Sequence, residues 1–87
     1  MTIEEHLKRF RVLPSGWHYG QGIATTDAAY TEALRLYHSF NPQYRLYEVF
    51  PKINGGVLLS CYTNERTVIE YEIEPDGTYF IGEEESY

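Results

Sequence analysis

A chain of 87 residues can bury only about 60% of the surface its unfolded form exposes, which leaves room for one domain and one core. Its 43% hydrophobic and 23% charged residues exclude a disordered chain, and 16% aromatics, with nine tyrosines, is a high proportion. The formal charge of −6 is uneven: from Met1 to Asn64 five acids stand against six bases, and from Glu65 to Tyr87 eight acids stand against Arg66 alone, so direct nucleic-acid binding by clustered Lys and Arg is excluded and a partner with a basic surface is expected.

The first element predicted is a short helix over about residues 3–11. Thr2 and Glu5 have the spacing of a capping box, Ile3, Leu7 and Phe10 fall on one face, and Lys8, Arg9 and Arg11 load the C-terminal turn. Pro14 and Gly16 end it and open a loop in which the single tryptophan, Trp17, sits among Gly16, Gly20 and Gly22. A second helix is predicted over 26–40, capped by Thr26 and stopped by Asn41-Pro42, with Tyr30, Ala33, Leu34, Tyr37 and Phe40 as its apolar stripe.

From Tyr44 onward the period becomes extended, and strands are predicted over 45–50, 57–63, 67–74 and 78–82, followed by an acidic tail over 83–87. Asn54-Gly55-Gly56, Asn64-Glu65-Arg66 and Pro75-Asp76-Gly77 are short turns, so consecutive strands pair antiparallel as a meander. In the third strand Ile69, Tyr71 and Ile73 alternate with Glu70, Glu72 and Glu74, which puts one face against helices and the other in water. The fold class expected is α+β: one short and one longer helix on a four-stranded antiparallel sheet.

The positions Leu13, Pro14, Gly16, Trp17, Gly20, Gly22, Pro51, Gly55, Gly56, Val57, Leu59, Asp76 and Gly77 make a pattern that resembles a group of small uncharacterised bacterial proteins. The resemblance spans most of the chain, with one departure: an acidic residue usually follows the tryptophan there, whereas His18 and Tyr19 follow it here. It implies a compact accessory protein of bacteria and their mobile elements, working with the product of a neighbouring gene as antitoxins and phage inhibitors do. No chemistry comes with it.

No run approaches the roughly 20 apolar residues of a membrane span, and the first residues lack the basic-then-apolar order of a secretory signal. The lone Cys61 has no internal disulfide partner, so a cytoplasmic protein without membrane association is expected. Cys61 is expected in the core rather than as a nucleophile. His6, His18 and His38 lack metal-ligand spacing, and neither a metal, a cofactor nor an enzymatic activity is expected.

Two candidate surfaces emerge. Glu70, Glu72 and Glu74 recur about 6.8 Å apart as an acidic ridge, extended by Glu83 and Glu84 of the adjacent strand, with Tyr44, Tyr47 and Tyr62 as aromatic anchors. Its like charges have no cation near them in sequence, which argues for use in binding a basic protein partner. The second candidate is a small-ligand loop made by Trp17, His18, Tyr19, Gly20 and Gly22 with the helix start at Thr26. The loop only half imitates a dinucleotide motif, and the preferred reading of Trp17 is a plug between the first helix and the sheet, whose removal would cost about 3 kcal/mol or more. An exposed strand edge leaves a homodimer open.

Overall fold

A computed structural model describes residues 2–39, 47–62 and 67–85, with only the backbone of Tyr47, Glu84 and Glu85. Its elements are α1 (Ile3–Phe10), α2 (Asp27–Ser39), β1 (Tyr47–Pro51), β2 (Val57–Tyr62), β3 (Thr67–Ile73) and β4 (Tyr79–Glu85). The four strands form one antiparallel sheet in the order β1-β2-β3-β4, so the α+β meander expected from the turns is the fold.

Each helix starts on a threonine. The Thr2 hydroxyl accepts from the Glu5 amide at 3.1 Å, and the Thr26 hydroxyl accepts from the Ala29 amide at 3.1 Å, each filling one of the amides that a helix start leaves unpaired. Thr26 also donates to the Pro75 carbonyl at 2.7 Å, while its amide donates to the Gly55 carbonyl at 3.0 Å. The start of α2 is thereby pinned between the β1–β2 and β3–β4 turns.

The core joins Leu7 and Phe10 of α1, Ala29, Ala33 and Leu36 of α2, and Val57, Leu59 and Ile73 of the sheet. The α1 face is as its spacing predicts. On α2 the buried stripe is Ala29, Ala33 and Leu36, whereas Tyr30 and Leu34 are only partly buried, which corrects the stripe centred on the aromatics. The start of α2 lies close to the β3–β4 turn: a Cβ on Gly77 would stand 3.5 Å from the Ala28 Cβ. Phe40, placed in that stripe from the sequence, lies outside the described residues, as do Arg45 and Leu46 of the first strand.

A glycine closes one end of the sheet, and at the other end a boundary moves for reasons of pairing. Gly56 must lack a side chain, since a Cβ there would lie 2.2 Å from the Ile73 carbonyl oxygen, so the β2–β3 ladder closes tightly at this end. At the other end β4 continues to Glu85, because β3 reaches back to Thr67 and pairs with it. Residues 83–85, expected as a tail, are therefore strand.

Candidate functional site

Residues directly opposite one another in a ladder share a face, so the register assigns every strand position. Val49, Leu59, Tyr71 and Ile81 form one row and Pro51, Val57, Ile73 and Tyr79 another, both on the side that carries the helices. On the other side the rows are Phe50, Leu58, Glu72 and Phe80, then Glu48, Ser60, Glu70 and Gly82. No helix lies over this second side among the described residues.

The acidic ridge is present but differs from expectation in three respects. First, Glu83 is level with Ile69 and projects to the helix side, so it does not extend the ridge; Glu84, level with Val68, has the parity of the uncovered side. A strand alternates, and consecutive glutamates cannot share a face. Second, Tyr62 is level with Val68 on the uncovered side, whereas Tyr47 is level with Cys61 and has the parity of the covered side. Tyr44 lies outside the described residues.

Third, the ridge is not without a cation. The Lys52 ammonium donates to Glu72 Oε2 at 2.7 Å and to Glu74 Oε1 at 3.1 Å, and the Asn54 amide donates to Glu74 Oε2 at 3.3 Å. The Lys52 side chain is 19% exposed. Burial pulls its pKa down, but the hydrogen bonds it donates to Glu72 and Glu74, with their charges, outweigh burial and hold it above the ordinary lysine value. Glu72 and Glu74 are thus committed to tying the β1–β2 turn to β3. No ion pair reaches Glu70 among the described residues.

What the ridge loses in charge the face regains in aromatic surface. Phe50 is 50% and Phe80 65% exposed, one on each outer strand of the row that contains Leu58 and Glu72. Neither ring was singled out from the sequence, although each sits at the same parity as a glutamate of the ridge.

The Trp17 loop is a closed miniature hairpin. His18 and Gln21 exchange two backbone hydrogen bonds of 2.7 and 2.9 Å, and Tyr19 and Gly20 between them have φ of 51° and 86°, the signature of a type I′ turn. The Trp17 indole N–H donates to the Ile23 carbonyl at 2.9 Å and the ring lies over Gly22, where a Cβ would come within 2.7 Å of Nε1. Trp17 is not among the residues packed on the core, which corrects the plug expected between α1 and the sheet: the ring closes its own loop. His18 stacks edge-on to both neighbours, and Tyr19 is 96% exposed.

This geometry separates the proposed ligand residues. Thr26 spends its hydroxyl and its amide on the fold, and Asp27 puts a carboxylate at the helix start, where Arg11 pairs with it. A cleft of about 310 Å³ does lie nearby, but Lys8, Arg11, Val12 and Asp27 line it, not Trp17, His18 or Tyr19. Cys61 is fully buried, and burial pushes its thiol pKa up, away from nucleophilic use. Among the described residues no three His, Cys, Asp or Glu side chains gather to hold a metal ion, and no helix is long and apolar enough to cross a membrane.

No family model, curated protein or solved structure matches this chain. The resemblance drawn from its glycine and tryptophan pattern therefore rests on those residues alone.

Proposed function

We propose that the chain is a non-enzymatic interaction module, of the antitoxin, immunity or inhibitor type, that receives a basic protein partner on the uncovered face of its sheet. One observation carries this reading: the helices occupy a single side of the sheet, and the other side offers Phe50 and Phe80 beside Glu48 and Glu70. Exposed rings on rigid strands supply apolar contact at small entropic cost, and acidic neighbours select a partner rich in Lys and Arg. Glu72 and Glu74 stabilise the face through Lys52 and contribute less charge to it.

The test uses a variant that spares the Lys52 bridge. Glu48→Gln with Glu70→Gln, and separately Phe80→Ser, are compared with wild type in affinity capture from a bacterial lysate, followed by titration of the purified pair at low and high salt. Binding that weakens with salt in wild type, and is lost in both variants, supports the reading. A partner that binds all three equally, or with no salt dependence, overturns it.

A further inference from the structure

The two edges of the sheet are unequal. The Glu74 amide donates to the Thr78 carbonyl at 2.7 Å, so this pair is a hydrogen-bonded one, and by alternation Phe80 and Gly82 direct their backbone groups to β3. Tyr79, Ile81, Glu83 and Glu85 then direct theirs outward. At the opposite edge the same alternation from the Lys52–Gly56 pair puts Pro51, which has no N–H, at an outward position, and α1 lies against β1. Nothing comparable shields β4, to which no helix packs among the described residues and where Tyr79, Phe80 and Ile81 are 36%, 65% and 58% exposed.

Gly82 adds a second observation. It interrupts an exposed strand, where glycine weakens pairing, yet a Cβ there would meet nothing within 4 Å and its φ is not in the left-handed region. Among the described residues neither a close contact nor a left-handed backbone requires a glycine at this position. A strand glycine of this kind marks close approach by something else.

We infer that β4 pairs antiparallel with β4 of a second copy across a two-fold axis at Ile81, which makes one eight-stranded sheet. In this register Ile81 faces Ile81 as a hydrogen-bonded pair and Tyr79 faces Glu83. Phe80 of each copy faces Gly82 of the other as a non-hydrogen-bonded pair, where Cα atoms approach to about 4.5 Å and a ring fits over a residue without a side chain. The charges agree. Arg35 of α2, which is paired with Glu32, lies close to the Tyr79 side chain, so Glu83 of one copy arrives near the Arg35 of the other. The two Glu83 residues are four strand positions apart, roughly 13 Å, beyond the screening length of about 8 Å at physiological salt. A parallel arrangement would instead stack acid on acid.

The experiment is sedimentation of the purified chain alone over a concentration series, so it is independent of the partner assigned to the sheet face. Wild type is expected at twice the 10.2 kDa protomer mass. Gly82→Val is expected to keep the far-ultraviolet spectrum and to weaken dimerisation about tenfold or more, because in the dimer its side chain occupies the space that the other copy's Phe80 needs. Ile81→Cys is expected to form a disulfide dimer in air, since a hydrogen-bonded pair places Cα atoms about 5.5 Å apart, within disulfide range, and Phe80→Cys is expected not to. A wild type that stays monomeric throughout, a dimer indifferent to Gly82→Val, or cross-linking at residue 80 in preference to 81 overturns the proposal.

Discussion

The Trp17 loop allows its energetics to be divided by a double-mutant cycle. Trp17→Ala removes one hydrogen bond, to the Ile23 carbonyl, and a partly buried ring that is not part of the core. A hydrogen bond of this kind contributes about 1 kcal/mol and truncation of a fully buried tryptophan about 3–5 kcal/mol, so the expected loss is about 1–2 kcal/mol. Gly22→Ala acts on the same contact from the other side. Its cost has two parts: a left-handed backbone at φ 103°, about 1–2 kcal/mol for a residue with a Cβ, and a methyl 2.7 Å from the indole nitrogen that expels the ring and loses the same hydrogen bond.

In the double variant Gly22→Ala adds only the backbone part to the loss from Trp17→Ala, because the ring is already gone. The two single losses should therefore exceed the double loss by about 1 kcal/mol. Urea unfolding followed by far-ultraviolet circular dichroism measures all four proteins without relying on the tryptophan signal. A loss of 3 kcal/mol or more for Trp17→Ala, or strict additivity, would refute the picture of a ring that serves its own loop.

Tyr19 occupies the first central position of a type I′ turn, where asparagine is favoured and a bulky side chain is strained. Tyr19→Asn should stabilise the protein by about 0.5–1 kcal/mol in the same unfolding assay, and a loss would show that the exposed ring has a packing role. Lys52→Met should cost about 1 kcal/mol near neutral pH, the sum of two partly exposed ion pairs. Because the folded pKa of Lys52 is raised, its contribution is complete below the unfolded value of about 10.4 and is lost as pH rises through the folded one. The gap between wild type and Lys52→Met should accordingly close in strongly alkaline buffer, where a constant gap would assign the loss to packing of the lysine stem.

The sheet was legible because its signals are local. Ile69, Tyr71 and Ile73 alternate with glutamates, and Gly55 and Gly77 mark the turns with φ of 94° and 90°. What escaped depends on partners distant in the chain. Lys52 lies about twenty residues before the carboxylates it bridges and is brought to them only by the β1–β2–β3 register. Glu83 looked like a continuation of the ridge because the sequence shows a run of acids, whereas the pairing of Ile69 with Glu83 decides its side. An alanine carries little hydrophobic signal, so Ala29 escaped, yet it is fully buried on the same helix as Ala33, which the spacing did place in the stripe.

The uncovered surfaces follow from how much sheet two helices can shield. A helix is about 10 Å across and strands are about 4.8 Å apart, so one helix covers roughly two strands. Here α1 lies on β1 and α2 lies on β2 and β3, its start held there by the hydrogen bonds of Thr26 to the turns on either side. The fourth strand falls outside both. Tyr79 and Ile81 therefore stand on the helix side of the sheet at the parity of core residues, with no helix over them among the described residues. A chain that needed only to be soluble would place polar residues at those positions, as β4 does two residues after Ile81 at Glu83. The change from apolar to acidic within one strand is what an antiparallel copy of the same strand would complement.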